Sequence, residues 1–531
     1  MYNCSAATSY GMKKRIIARL DIKGPNVIKG IQLECLRVMG KPDDLAQEYY
    51  QQGADELIYL DTVASLYRRD NLLNIVKQAS ENIFIPFIAG GGVRNINDIR
   101  SLLSAGAEKV AVNTAATKNP ELIRQAAKIF GSQCIVLSIE AKQVAPGRWE
   151  AYVDNGRQRT GLDVIKWAKQ GEKLGAGEIL LTAVDRDGME NGLDNELIKK
   201  VTEAVSIPVI ASGGAGSPQD VVECVKKTNV DAVAVGSILH YRKFGMADIK
   251  SELKKEKIAV RQTVNFSTKQ NKTGQKYDIK NYNKYTMRHL TGVTGLAANK
   301  IRTEDAPARF KEEYPKGSAD LGVIDYKINN VRSVLRAFQK LGKKVAIVET
   351  PEEFDEVKTL VLPGVGAFGE GMKALKKAGL IESIKRQVMR GKPILGLCLG
   401  MQMLFFESEE FGRNKGLDLI EGNVVSFKPV NKIKLPDYKL PHIGWTKISA
   451  VRRNKTTLLS GIKTPADVYF VHSFFSQPKD RSIILANAEY GGQKFCAVVQ
   501  KENIMGTQFH PEKSGEVGLN ILKQFCKIAK I

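Results

Sequence analysis

Short apolar runs alternate with longer stretches of helical periodicity through the first half of the chain. The runs Arg15–Asp21, Leu57–Asp61, Ile85–Ala89, Lys109–Val112, Ile135–Glu140, Glu178–Thr182, Pro208–Ser212 and Asp231–Gly236 read as buried strands. Eight strand–helix units in about 240 residues predict a (β/α)8 TIM barrel. The pattern also repeats. Gly53-Ala54-Asp55-Glu56-Leu57 returns as Gly175-Ala176-Gly177-Glu178-Ile179, and Pro86-Phe87-Ile88-Ala89-Gly90-Gly91 returns as Pro208-Val209-Ile210-Ala211-Ser212-Gly213. Both recur at the same interval, as two half-barrels of four units would.

The alternation resumes near Leu321. Gly322–Asp325, Lys344–Val348 and Thr359–Leu362 read as strands, and a fourth runs into Cys398. This predicts a doubly wound α/β domain with a reactive residue at a strand end. Between the halves, apolar periodicity is lost and segments such as Lys269–Lys276 are polar and basic. A stretch of about 60 residues without periodicity is long for a loop inside a compact domain. The chain therefore divides into a barrel (13–260), a flexible basic linker (261–318) and an α/β domain (319–531). The tether would keep the two folded parts at high mutual concentration.

Composition narrows the class. The chain has 531 residues, enough for two or three cores, and its 43% hydrophobic content is ordinary for a soluble protein. No apolar run is long enough to span a membrane, and the first residues lack an apolar signal region. Seven scattered cysteines without a C-x-x-C pair argue against a disulfide framework, so a cytoplasmic setting is expected. The net charge of +23 invites a nucleic-acid partner, but the lysines are spread out and no binding motif accompanies them. Nucleic acid is not expected as a partner.

The candidate chemistry centres on Gly396-Leu397-Cys398-Leu399-Gly400. A strand, a tight turn and a helix would hold the thiol outward, and the helix N-terminus would favour the thiolate. Of five histidines, only His510 lies beside a carboxylate that can orient it, Glu512. Together these make a Cys-His-Glu relay. Backbone N–H groups near Val365, in Leu362-Pro363-Gly364-Val365-Gly366, and that of Leu399 could hold an oxyanion. His442 and His472 read as packing residues. These pieces resemble the class I glutamine amidotransferases, which free ammonia from glutamine through a thioester.

The barrel repeat duplicates chemistry as well as fold. Glycine turns through Gly92 and Gly214 end strands on the catalytic face. One unit after each comes a small polar pair, Asn113-Thr114 and Gly236-Ser237. Two such sites related by the repeat suit a ligand with a phosphate at both ends. Carboxylates stand at three strand ends, Asp21, Glu140 and Asp185, where this fold carries catalysis. No metal cluster or nucleotide loop is evident, so neither a cofactor nor ATP is expected.

Residues 13 to 260 resemble the cyclase subunit of imidazole glycerol phosphate synthase. The matching segments include Ile28-Lys29-Gly30, both glycine turns, Asn113-Thr114-Ala115-Ala116 and Asp185-Arg186-Asp187-Gly188. The second half resembles the glutaminase subunit of the same enzyme, through Pro363 to Gly369, Gly396 to Gln402, Pro441 to Trp445, Tyr469 to Ser473 and Gly506 to Ser514. The resemblance implies that Asp21 and Asp185 are acid and base. It also implies that Gln402 and Ser473 hold glutamine, that His442 to Trp445 face the barrel, and that Arg15, Glu56, Lys109 and Glu178 gate an ammonia passage. Three segments depart from the family pattern. Glu140 stands where aspartate is usual, Lys23-Gly24-Pro25-Asn26 replaces Lys-Asp-Gly-Arg, and Asp325 to Asn330 lacks the usual glycines. The first two resemble a paralogous branch linked to amino sugars of surface polysaccharides, which would serve a separate ATP-dependent sugar amidotransferase.

The expectation is a single-chain glutamine amidotransferase with an internal barrel–glutaminase interface. Ammonia would be delivered to a bis-phosphorylated ribulosyl aminoimidazole carboxamide, giving imidazole glycerol phosphate. A conduit serving the sugar amidotransferase is the second expectation.

Overall fold

The computed structural model describes residues 12–62, 71–262, 317–327, 330–428, 438–452 and 456–531. The stretch expected as a linker, 261–318, lies outside the described residues except at its two ends.

In the first half the strands are β1 (Arg15–Lys23), β2 (Asn26–Ile31), β3 (Glu34–Gly40), β4 (Glu56–Asp61), β5 (Phe87–Gly90), β6 (Lys109–Val112), β7 (Ile135–Ala145), β8 (Arg148–Val153), β9 (Gln158–Asp163), β10 (Glu178–Ala183), β11 (Val209–Ser212) and β12 (Ala232–Val235). Eight of them, in the order β1-β4-β5-β6-β7-β10-β11-β12, pair in parallel and close on β1. The eight expected strands are these, with ends moved by a few residues. Sequence reading missed two additions at the mouth. The β2–β3 hairpin folds back on β1, and β7 runs past Glu140 into antiparallel pairing with β8, which pairs in turn with β9.

Alternation along β1 explains why the barrel can be buried on both faces. Ile16, Ala18, Leu20 and Ile22 pack outward against the helices. Ile17 packs inward with Ile58, Ile88, Val136, Leu180 and Ile210. Arg15, Arg19 and Asp21 share the inward parity of Ile17, so one strand carries charge into the lumen below and above an apolar layer.

In the second half the strands are β13 (Ala319–Ile324), β14 (Val345–Val348), β15 (Val357–Leu362), β16 (Ile394–Leu397), β17 (Phe405–Ser408), β18 (Asn414–Lys415), β19 (Ile420–Ser426), β20 (His442–Ala450), β21 (Ala466–His472), β22 (Phe474–Pro478), β23 (Ile484–Tyr490), β24 (Gln493–Lys501) and β25 (Ile504–Thr507). One sheet runs β14-β13-β15-β16-β25-β24-β23-β20-β21, and its first five strands are parallel. A smaller sheet, β18-β17-β19-β22, stands beside it.

The described residues of both halves form one compact unit. Ile443, Trp445, Tyr469 and Val471 belong to the same apolar core as the barrel. Trp445 Nε1 donates to Asp55 O at 3.1 Å, and Arg261 lies 4.2 Å over its ring. Lys439 Nζ pairs with Asp231 at 2.8 Å. Asn330 caps the helix Val331–Lys340 and donates to Glu108 at 3.0 Å. No helix among the described residues is long and apolar enough to cross a membrane.

Candidate active site

Strands β16 and β25 lie side by side in parallel, with Leu397 opposite Thr507. That register brings the residues just past their ends, Cys398 and His510, to one edge of the sheet. Cys398 N donates to Thr507 O at 2.8 Å. The residue takes φ +50° and ψ −107°, a strained conformation outside the regions that side chains favour. Close contact demands the glycines around it. A Cβ on Gly400 would stand 1.8 Å from Leu362 O, and one on Gly396 would stand 2.7 Å from the Met401 backbone.

His510 Nδ1 lies 2.7 Å from Glu512 Oε1, and both residues are buried. The other ring nitrogen, Nε2, is buried with no hydrogen-bond partner among the described residues. Burial opposes the imidazolium, but the charges of Cys398 and Glu512 outweigh it and hold His510 well above its ordinary value. The arrangement favours the imidazolium form of His510. Gln508 Nε2 lies 3.7 Å from the Cys398 sulfur.

Val365, Leu399, Gln402 and Ser473 line the cavity at the thiol, so the structure gathers the residues expected for oxyanion and glutamine binding. The cavity holds about 10 Å³, room for one water molecule. Barrel residues Gln133 and Cys134 form part of the wall. Sequence reading missed Glu410, which also lines it. Burial pushes this carboxyl up to about 7, and it accepts from Phe368 N at 2.7 Å. Its signal was the polar spacing of Glu407, Glu409 and Glu410 after an apolar helix. His442 and His472 pack in an aromatic cluster with Phe470 and Phe495, 3.1 Å apart through their ring nitrogens.

At the barrel foot the four expected gate residues meet in a closed ring. Arg15 contacts Glu56 at 2.8 Å and Glu178 at 2.6 Å, and Lys109 contacts the same carboxylates at 2.9 and 2.6 Å. None of the four is more than 1% exposed. Burial alone would raise Glu178, but Arg15 and Lys109 hold it below the ordinary carboxylate range. The neighbour of Lys109, Glu108, lies 3.0 Å from Lys513, which follows Glu512. Two successive residues, Glu108 and Lys109, thus reach the residue after Glu512 and the ring.

At the mouth, the two carboxylates expected to work together differ in burial. Asp21 is buried, 2.9 Å from Arg19 Nε and 3.7 Å from Lys29 Nζ. Burial raises its carboxyl, but these cations win and hold it below its ordinary value. Asp185 is exposed, and it does not line the mouth cavity. Its turn, Val184–Arg186, aims the carboxylate outward to accept from Gln143 N at 2.7 Å on the β7 extension. Asp187 is the buried acid of that segment, bound to Lys29 at 2.7 Å.

Glu140 lines the cavity, accepts from Gly156 N at 2.6 Å and is pushed up by burial to about 7. Gly92, Asn113 and Thr114 line the same cavity of about 460 Å³. Their counterparts Gly214, Gly236 and Ser237 do not line it. Gly214 O accepts from Gly192 N at 2.9 Å, and Ser237 opens the short helix Ser237–His240. Arg19, also missed, is the residue of this site most legible in retrospect, since it shares parity with Arg15 and Asp21.

Comparison with known proteins agrees with the two-part architecture. Residues 15–245 match the family described as "Histidine biosynthesis protein", and residues 322–529 match "Glutamine amidotransferase class-I". The chain is 63% identical over 206 residues to the imidazole glycerol phosphate synthase subunit HisF of Legionella pneumophila, spanning 97% of that protein and 39% of this chain. It is 47% identical over 250 residues to the subunit of the same name from Hydrogenobaculum sp. (strain Y04AAS1), spanning 99% of that protein and 47% of this chain.

Proposed function

Because the chain belongs to the imidazole glycerol phosphate synthase cyclase family and carries a class I glutamine amidotransferase behind it, we propose that it makes ammonia at Cys398 and uses it at the barrel mouth. The observation that supports this is a Cys398 cavity walled in part by barrel residues Gln133 and Cys134, in a chain whose barrel holds a charged ring and a mouth carboxylate poised near neutrality.

Cys398 attacks the carboxamide carbon of glutamine, and its proton passes through His510 to the departing ammonia. Val365 N–H and Leu399 N–H take the oxyanion, while Gln402, Ser473 and the Glu410 carboxylate hold the amino acid. Water, deprotonated by His510, then cleaves the thioester to glutamate. Ammonia crosses the ring when one ion pair opens. Above it, the apolar layer of Ile17, Ile58 and Ile88 passes neutral ammonia and rejects ammonium.

At the mouth, Gly92, Asn113 and Thr114 on one side, and Gly214, Gly236 and Ser237 on the other, would take the two phosphates of a ribulosyl aminoimidazole carboxamide. Glu140 moves the protons there. Asp21 stays anionic as a fixed charge, and Asp185 stands at the rim. The products are imidazole glycerol phosphate and the aminoimidazole carboxamide ribotide. The residue boundaries 13–260, 261–318 and 319–531 for barrel, tether and glutaminase belong to the same proposal.

The test compares Cys398→Ala with the unaltered chain. Glutamine-dependent turnover should vanish and ammonium-dependent turnover should persist. Loss of both would defeat this division of labour.

One observation favours the second reading, a conduit serving an ATP-dependent sugar amidotransferase. Ile31, Val38, Val144, Met189, Tyr241 and Phe244 are exposed, and all lie on segments at or beyond the mouth ends of barrel strands. A partner chain seated there would cover them. Glutamine hydrolysis without turnover of the ribulosyl substrate would move the balance to this reading.

A further inference from the structure

Arg19 places a guanidinium where barrel lumens usually hold apolar side chains. It lies one inward position above Ile17 and one below Asp21, and is 4% exposed. Three contacts fix it. Nε donates to Asp21 Oδ1 at 2.9 Å, and Nη1 donates to Thr182 Oγ1 at 2.9 Å and Ser212 Oγ at 3.0 Å. Its backbone carbonyl lies 3.0 Å from His240 Nε2, so the strand is pinned as well. Nη2 has no hydrogen bond among the described residues, yet it is not one of the fully buried atoms left unpartnered. Arg19 lines the mouth cavity with Ser138, Asn113 and Glu140, so the open edge of its fork is the one that faces that space.

A donor held rigid on three sides and open on the fourth is organised to meet charge as it develops. An apolar layer lies directly beneath it, and on the reading above that layer delivers ammonia to this point. Resting on the cyclisation reading above, we propose that Arg19 is a catalytic residue of the barrel mouth, binding through Nη2 the carbonyl oxygen of the ammonia acceptor.

The nitrogen lone pair forms the C–N bond, and the carbonyl π pair moves onto oxygen against Nη2–H. The Glu140 carboxylate takes a proton from the new ammonium nitrogen and returns it to that oxygen, giving a carbinolamine. A second transfer of the same kind releases the oxygen as water and leaves C=N. No electrons are gained or lost. Asp21 is then a positioning residue, since its carboxylate orients the guanidinium.

The experiment is ammonium-driven turnover of the bis-phosphorylated ribulosyl substrate by the full chain, unaltered and as Arg19→Ala. The expected result is a fall of about 10²–10³ in kcat with KM changed less than about threefold, as for loss of an oxyanion donor. Guanidinium chloride should restore part of kcat in the variant and none in the unaltered chain. Circular dichroism monitors folding. A second variant, Arg19→Ala with Asp21→Asn, leaves no stranded carboxylate and should show the same loss. A rise in KM alone, full activity in either variant, or no rescue in a folded variant overturns the proposal. If the unaltered chain hydrolyses glutamine but does not turn over the substrate, the cyclisation reading falls and this proposal falls with it. An active unaltered chain beside an equally active variant defeats this proposal alone.

Discussion

Replacing Lys109 with methionine removes two of the ring's four ion pairs and leaves Glu56 and Glu178 facing Arg15 alone. The ring, neutral in the unaltered chain, then holds a net negative charge away from water. Removing one partner of a buried pair destabilises by about 3–5 kcal/mol. At about 2–4 °C per kcal/mol for a barrel of this size, the unfolding midpoint should fall by about 6–20 °C. The deficit should depend on pH. In the unaltered ring, the lowered Glu178 contributes stability above the unfolded carboxylate pKa, which is lost as pH falls through the folded value. In the variant, the stranded carboxylate shifts upward, so the variant loses stability as pH rises. The gap between the two chains is therefore wider at pH 8 than at pH 5. Adding Glu56→Gln restores a neutral Arg15–Glu178 pair and should recover most of the loss. Calorimetric unfolding at both pH values measures stability, and the ratio of glutamine consumed to product formed measures leakage. A loss under about 1 kcal/mol, the level of a surface pair, would refute the ring as described. So would a double variant less stable than the single one.

Glu140, pushed up to about 7, should give the ammonium-driven kcat/KM an acid limb near that pH, absent in Glu140→Gln. An unchanged limb would assign the proton transfer elsewhere. The same upward shift means that Glu140 contributes stability below its unfolded pKa and loses it as pH rises through about 7, so Glu140→Gln should gain on the unaltered chain between pH 5 and pH 8. Glu410→Gln should raise KM for glutamine about 10–100-fold, the worth of a hydrogen bond to a charged group, with ammonium-driven turnover preserved. Equal KM values would remove Glu410 from the glutamine site.

The parts of this enzyme legible from sequence were those with a local pattern. The Cys398 elbow is local because Gly396 and Gly400 must flank it, and the register of β16 on β25 then brings His510 to the thiol. The ring was named only through the family resemblance of Arg15, Glu56, Lys109 and Glu178. What sequence did not reveal depended on which way a turn points. Asp185 and Asp187 sit two residues apart, yet one faces solvent and the other is buried on Lys29. Glu140 looked like a departure from pattern, and only the fold shows that burial pushes its carboxyl up to about 7. Arg19 stood in plain alternation with Arg15 and Asp21. Its meaning came only with Thr182 and Ser212, contributed by strands more than 160 residues away. The β2–β3 hairpin was missed because neither strand alternates: β2 is buried through four successive residues and β3 is mostly exposed.

The central claim is that ammonia made at Cys398 reaches the mouth without leaving the protein. Glutamine labelled with ¹⁵N in its amide, supplied together with a large excess of unlabelled ammonium salt, tests this directly. Mass spectrometry of the product then reads the source of its nitrogen. Retention of the label in product made during glutamine turnover, with Lys109→Met losing part of it, is the result this mechanism requires. Product carrying the isotopic composition of the bulk ammonium would contradict it.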